Sequence, residues 1–425
     1  MKQISLILSL FVVTLFARVA GAVPVVEDKE KGILINVGAL IQPQFQMTIP
    51  GGKDNDIPCG GAQHARCSPG IGNPRGDSPS YDFFLRRARL MLWGSVTKEI
   101  SYFIETDEPN LGKGGDFSVR SFVQDAFLTY SFAPEFRIDA GLMLTPLSHH
   151  TLEGATSLNA LDYHGDMVKF PAGRVFRDAG IQFRGVALQD HLHYRLMIGE
   201  GVRNGAVPVP AAPATRTVVN PGGVPRFTAH LRGNIMGVEP DFFLKGIYFS
   251  KTPIISVGVG ADFQPNSVIK MNGDYGHYFA ASGDAFVEYP FTEDDELIVK
   301  ANYFYYAQGA VPGTSQFAGG ASTLYGEVGF RHAWIEPLAF VEYVKNNGDE
   351  NRLAAGAVES SFSPHVGVNF WIMKHNFNIK TDFGYKQTER HDVEPTPATM
   401  TAAANDGVWA PQKDFIWTTQ GQVFF

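Results

Sequence analysis

From Ile33 onward the chain alternates between two kinds of residue with a period of two. Ile33, Ile35, Val37, Ala39, Ile41, Pro43, Phe45 and Met47 form one row, and Leu34, Asn36, Gly38, Leu40, Gln42, Gln44 and Gln46 the other. Successive side chains of a strand point to opposite faces, so one face here is continuously apolar and the other mostly amide or small. The pattern recurs. Ile255, Val257, Val259, Ala261 and Phe263 oppose Ser256, Gly258, Gly260 and Asp262; Leu297, Val299, Ala301, Tyr303 and Tyr305 oppose Glu296, Lys300 and Asn302. Phe377, Ile379, Phe383 and Tyr385 oppose Asn378, Lys380, Asp382 and Lys386. A soluble sandwich also alternates, but its two sheets enclose aliphatic side chains. Full charges in mid-strand fit an apolar exterior around a polar interior instead.

Composition narrows the setting. Only 18% of the 425 residues are charged, against about a quarter in soluble domains, yet beyond the N-terminus no apolar run is long enough for a membrane helix. A bilayer admits helices or closed barrels only, since no water satisfies a free strand edge. The N-terminus reads as a secretory signal peptide over residues 1–22, with Lys2, an apolar Ile4 to Phe16 and the cleavage site Ala20-Gly21-Ala22, leaving a barrel over 23–425. Loss of Lys2 and Arg18 with that leader takes the formal net charge from −8 to −10, which excludes a nucleic-acid-seeking surface. Cys59 and Cys67, close together in a Gly/Pro-rich stretch of an exported chain, are a disulfide candidate; no Cys-x-x-Cys-His haem motif occurs, and no cofactor is expected.

The connections alternate in length, as those of a transmembrane antiparallel β-barrel do between extracellular loops and periplasmic turns. Thr48 to Asp82, Pro146 to Gly173, Arg203 to Pro225 and Gln387 to Gln412 are long, whereas Thr97-Lys98, Ala133-Pro134, Gln189-Asp190 and Lys374-His375 are short. One stretch breaks the rule: Gly237 to Lys251 stands where a short turn belongs and contains Phe242, Phe243, Tyr248 and Phe249. It hides either an extra structured piece or a miscounted strand pair. The fold expected is all-β, a barrel of about sixteen strands, the even number such barrels use. Its last row, Phe415, Trp417, Thr419, Gly421, Val423 and Phe425, ends on an aromatic, and Phe425 reads as a barrel-assembly signal.

Several stretches resemble the phosphate-selective porin O/P family: Phe84-Leu-Arg-Arg-Ala-Arg-Leu90, Tyr102-Phe-Ile-Glu-Thr-Asp107, Gln124-Asp-Ala-Phe-Leu-Thr-Tyr130, Ala140-Gly-Leu-Met-Leu-Thr-Pro-Leu147, Gly367-Val-Asn-Phe370 and Phe377-Asn-Ile-Lys-Thr-Asp-Phe383. The resemblance implies a sixteen-stranded outer-membrane porin of a Gram-negative bacterium, a homotrimer with a constricting third loop. The third-loop candidate is 146–173, by its length and its place after the fifth strand. The ladders of Arg and Lys that line the selective members are only partly matched.

A guanidinium facing lipid at the midplane costs about 2–4 kcal/mol, so Arg87 and Arg89 are placed facing the lumen and Arg86 snorkelling at the rim. Arg184, Arg195, Lys300 and Arg331 fall on polar rows and join them as pore-lining candidates, with Glu105 and Asp125 among the acids that could pair with them. Fixed positive charges raise the local anion concentration; acidic walls opposing basic ones hold a transverse field instead. His149, His150 and His164, with Asp162 and Asp166, sit in the candidate constriction loop. Their spacing matches no metal site, and the histidines would make conductance pH-sensitive near neutrality. Gly199-Glu-Gly201 has no helix behind it to bind a nucleotide, and no nucleophile elbow or triad appears, so an enzyme is not expected.

The expected activity is passive diffusion of small hydrophilic solutes, with anions such as phosphate among the candidates. The partners are then outer-membrane lipid and the solutes. The alternative is a barrel sheathing periplasmic or extracellular cytochromes in an electron-transfer conduit, with the partner cytochromes occupying the lumen; genes for multihaem cytochromes beside this one would favour it.

Overall fold

A computed structural model describes residues 23–51, 79–165, 167, 176–202, 205–208, 216–220, 222–239, 242–269, 275–307, 320–347, 358–390 and 412–425. The leader, Cys59 and Cys67 lie outside them.

Sixteen antiparallel strands close into a barrel. They are β1 (Ile33–Pro50), β2 (Ser80–Ser95), β3 (Ile100–Asp107), β4 (Phe122–Ala133), β5 (Phe136–Leu144), β6 (Arg177–Ala187), β7 (Leu192–Gly199) and β8 (Arg226–Met236). Then follow β9 (Ile254–Ile269), β10 (Tyr275–Pro290), β11 (Asp295–Tyr306), β12 (Ala321–His332), β13 (Ile335–Asn346), β14 (Val358–Phe370), β15 (Phe377–Arg390) and β16 (Gln412–Phe424). Each pairs with its neighbour in sequence, and β16 returns to β1, from Leu40 opposite Phe424 to Pro50 opposite Asp414. The last residue takes part: Ala39 and Phe425 exchange both backbone hydrogen bonds, at 2.8 and 3.1 Å. Below that seam a short strand, Val23–Asp28, pairs with the start of β1. Among the described residues no helix is long and apolar enough to cross a membrane; the crossing is made by strands.

The alternation read from the sequence holds in three dimensions. In β1 the even row (Asn36, Leu40, Gln42, Gln44) is buried inside, while Val37, Ile41 and Ile49 face out. Outward aromatics gather at the two ends of the wall. Phe132, Phe136, Tyr289, Phe291, Phe330 and Trp334 ring the periplasmic end; Phe45, Phe83, Phe383, Phe415 and Trp417 ring the other. These are the girdles of a transmembrane barrel, where amphipathic rings sit at the headgroup level.

The parity changes at bulges, among them one in β4 that turns both Gln124 and Asp125 inward and one in β2. Between Gln42 and Pro43 of β1, whose partners are Arg87 and Leu85, β2 carries one residue more than β1. A β-bulge of this kind lets two successive side chains face the same way. Phe84, Arg86, Arg87 and Arg89 consequently all turn inward, and the placement of Arg86 at the lipid rim is corrected.

Candidate functional site

The connection between β5 and β6 turns into the barrel, and its described residues 145–165 cross the lumen. Ser148 starts a single helical turn, His149–Leu152, by accepting from the Thr151 amide while the Thr151 hydroxyl accepts from the Ser148 amide, so both orphan donors are satisfied. Side chains from far around the wall then hold the loop's backbone. Lys380 donates to the carbonyls of Leu158 and Ala160 at 2.5 and 3.1 Å, Gln422 to Thr156 at 2.8 Å, and Asn369 to Asn159 at 2.9 Å. Asn159 in turn donates to Glu327 and Glu336, at 2.9 and 2.8 Å. At Gly260 of β9 a Cβ would lie 1.8 Å from the Leu147 carbonyl, so only glycine lets the loop lie flat on this wall.

The anomalous stretch between β8 and β9 is the extra structured piece, and the strand count needs no change. It rises from the periplasmic end and meets the loop. Leu244 donates to the Leu152 carbonyl at 2.8 Å and accepts from Gly154 at 3.0 Å, and Gly246 donates to Ser157 at 2.9 Å. A Cβ on Gly246 would come within 2.3 Å of the Asn159 nitrogen, so the two backbones touch. Phe242 stacks on Phe127 with centroids 4.4 Å apart, and Phe243 packs on Phe103 at 4.9 Å. Ile247 is fully buried with Ile298 and Trp371. Glu288 accepts from the Tyr248 and Ser250 amides, both at 2.5 Å. The lumen is therefore filled at mid-height by two intruding segments joined to each other. Two of the cavities lined by described residues lie on either side of these segments and share no lining residue. The outer one is about 470 Å³ and lies beside Gln44, Arg86, Asp162, His164, Glu342 and Asp382; the periplasmic one is about 200 Å³ and lies beside Arg137, Arg184, Arg195, Asp190 and Glu239.

Each pore-lining candidate faces inward and has a partner. Arg87 donates to Asp162 of the loop at 2.6 Å and to Gln42 at 2.9 Å; Arg86 grips the same carboxylate. Arg89 bridges Glu105 at 2.7 Å and Asp107 at 2.9 Å. Asp125 holds Arg177, Arg184 holds Asp139 at 2.7 Å, and Arg331 holds Glu296 at 2.7 Å. Arg195 donates to the Phe242 carbonyl at 2.7 Å, and its guanidinium and that of Arg184 lie over the Phe242 ring. Lys300 sits between Glu153 and Glu327, 3.2 Å from each. Buried charges are tolerable only in such pairs, because desolvating either partner alone costs several kcal/mol. The three histidines are all buried in the loop. His149 bonds Glu153 and Glu239, His164 bonds Glu327 and Glu342, and His150 lies among aromatic rings. Among the described residues no cluster of His, Cys, Asp and Glu is arranged to hold a metal ion.

The charges are unevenly distributed: arginines gather on one side of the wall, where Glu105, Asp107, Asp125 and Asp139 pair with several of them, and carboxylates on the other, where Lys300 and Arg331 stand among them. Arg86, Arg87, Arg89, Arg137, Arg177, Arg184, Arg195, Arg226 and Arg232 all stand on β2 to β8. On β10 to β13 stand Asp284, Glu288, Glu296, Glu327, Glu336 and Glu342. Arg137, Arg184 and Arg195 are neighbours in register across β5, β6 and β7. Sequence reading missed Arg137, Arg177, Arg226 and Arg232. The last two share one row, opposite Phe227, Ala229 and Leu231, and so were legible; Glu239 stands in the irregular stretch, where no periodicity points to it.

Residues 71–203, from before β2 to just beyond β7, match a protein-family model. That family is the phosphate-selective porins O and P. The resemblance read from the sequence is thereby shown over this stretch, which contains the constriction loop and most of the arginine side. No curated protein matches the chain in sequence. Among solved structures, the outer-membrane channel DcaP of Acinetobacter baumannii is similar with a TM-score of 0.56 and 14% identity, over 95% of this chain and 100% of that one. OmpF of Salmonella typhi gives 0.56 and 10% identity over 93% and 100%, and an anion-selective porin of Comamonas acidovorans 0.52 and 9% over 92% and 99%. At such identities the likeness is one of fold: this chain has the porin fold.

Proposed function

We propose that this protein is an outer-membrane diffusion channel for small hydrophilic solutes, assembled as a homotrimer, in which an arginine side faces a carboxylate side across a constricted lumen. The observation that carries this reading is the sorting of buried charge within a barrel of porin fold. Opposed walls of fixed charge orient a dipolar solute and stabilise it as it sheds water. The half-buried Arg137 and Arg184 beside the periplasmic cavity give anions the better-lined path on that side. Because every candidate cation has a carboxylate or carbonyl partner, the selectivity expected is modest rather than that of a bare arginine ladder. The intruding segments occupy the space that a sheathed cytochrome would need, which favours the channel over the conduit. Phe425 as an assembly signal, Cys59–Cys67 as a disulfide and a mature start at Val23 belong to the same proposal. The test is flux of uncharged, anionic and cationic solutes of equal size into vesicles holding the folded barrel. The reading requires all three to enter, with the anion ahead by a small factor; exclusion of all three would reject it.

A further inference from the structure

Each intruding segment is fastened through a histidine with carboxylates on both ring nitrogens. His149 Nδ1 lies 2.9 Å from Glu153 of its own loop, and Nε2 lies 2.9 Å from Glu239 of the periplasmic segment. His164 Nδ1 lies 2.6 Å from Glu342 on β13, and Nε2 3.3 Å from Glu327 on β12. An ionised carboxylate can only accept, and a neutral imidazole has one N–H. Both bonds of either histidine therefore exist only while a second proton is present. Without it, one carboxylate of each clamp faces a nitrogen lone pair.

We propose that His149 and His164 are positioning residues forming a proton-dependent latch, which holds the constriction loop against the wall and against the periplasmic segment at low and neutral pH and releases both as the medium turns alkaline. This rests on the channel reading of the preceding section. The two clamps act at different joints. Loss of the His149 proton removes the side-chain tie between loop and segment, since Glu153 belongs to one and Glu239 to the other, and leaves only the backbone bonds of Leu244, Gly154 and Gly246. Loss of the His164 proton loosens the loop on β12 and β13, where Asn159 still bonds Glu327 and Glu336.

The surroundings set the direction. Around His149 stand Arg232 on β8, paired with Glu239 and Asp284; Asp284 on β10, which accepts from the His149 amide; Lys300 on β11, on Glu153; and Tyr248 of the segment, whose hydroxyl donates to Glu239. Burial and Arg232 work against the imidazolium, and Glu239 and Glu153 outweigh them, so His149 titrates above its ordinary value. His164 meets Glu327, Glu342 and the Tyr325 ring, with Lys300 on the far side of Glu327 and His150 close by. Burial opposes its charge too, but the two carboxylate bonds raise it to about 9. His150, its Nδ1 3.6 Å from Glu153, is pushed down by burial, which outweighs that carboxylate, and does not join the latch. When the histidines discharge, Arg232 and Lys300 keep Glu239, Glu153 and Glu327 compensated, and Glu342 faces the outer cavity.

The experiment is the rate at which an uncharged monosaccharide enters vesicles containing the full folded chain, at pH 6 and pH 9.5. The permeant carries no charge, so only the protein titrates. Wild type is expected to admit the sugar several-fold faster at pH 9.5. The double variant His149→Gln, His164→Gln should be fast at both values. Glu239→Gln should show a smaller rise than wild type, because its amide can donate to the neutral imidazole and keep that joint closed. Equal wild-type rates at the two pH values overturn the latch alone, as does an undiminished rise in Glu239→Gln. No entry at either pH, in wild type and in the double variant alike, overturns the channel reading and the latch with it. Should the double variant not fold, the wild-type profile and Glu239→Gln decide.

Discussion

The two segments that enter the lumen come from opposite ends of the barrel and are held in different ways. The constriction loop is held by directed bonds beside an apolar cluster in which Leu147 and Leu152 join Phe304, Tyr306 and Tyr325: its carbonyls accept hydrogen bonds from Lys380, Asn369, Gln420 and Gln422 on three adjacent strands, β14 to β16. The periplasmic segment is held largely by rings, Phe242 and Phe243 on Phe127 and Phe103, and Phe249 on Trp371. Directed bonds fix a backbone in one register, whereas apolar packing has no preferred direction and gives way gradually when it is trimmed. The loop's directed bonds thus fix its course across the lumen, and the segment's rings fill the space against β3 and β4.

The largest effect is expected from replacing residues 238–251 with a two-residue Asn-Gly turn. If the segment is the block, sugar entry into vesicles at neutral pH rises several-fold while the barrel still folds; an unchanged rate would assign the whole block to the loop. Next comes Arg89→Met, which strands Glu105 and Asp107 inside the wall. Removing one partner of a buried pair costs about 3–5 kcal/mol, so the urea midpoint of the folded barrel should fall clearly. Trimming Phe242→Ala removes a packed ring, a change worth about 3–5 kcal/mol in a core. The loss should be local, with amide exchange at Leu244 accelerating and that in β15 unchanged.

The loop's seat should also depend on pH. His164 in the folded chain titrates near 9, above its unfolded value of about 6.5, so its contribution to stability is fully present below about 6.5 and is lost as pH rises through 9. The urea midpoint should decline over that window and the decline should vanish in His164→Gln. The smallest effect is expected from Arg137→Gln, at a half-exposed guanidinium on the periplasmic cavity. It should move the reversal potential in a KCl gradient slightly toward cations and leave the urea midpoint in place.

How much of this was legible depends on what each feature is made of. The barrel could be read from the outer rows, because lipid forces every second residue to be apolar along Val257, Val259 and Phe263 or Leu297, Val299 and Tyr303. The loop could be read from its length and place. Arg86 could not, since a bulge adds one residue and reverses parity without any mark in β2 itself. The partners of Lys300, Arg87 and His164 were hidden for another reason. Glu327 stands directly opposite Lys300 on the neighbouring strand, but Glu153 and Asp162 reach Lys300 and Arg87, and His164 reaches Glu327 and Glu342, only after the loop has folded back across the lumen, and a strand's own period says nothing of such contacts. The stretch from Gly237 announced itself as too long and too aromatic for a turn, but its direction into the barrel follows from packing on Phe103 and Phe127.

A solute channel with an arginine-rich side facing a carboxylate-rich side should show itself in single-channel recording of the purified, folded barrel in planar bilayers under asymmetric KCl. Discrete conductance steps are predicted, with a reversal potential modestly on the chloride side that moves toward potassium when Arg137 and Arg184 are both changed to Gln. A folded barrel that gives no steps at any pH, or whose selectivity ignores those two arginines, would contradict the account.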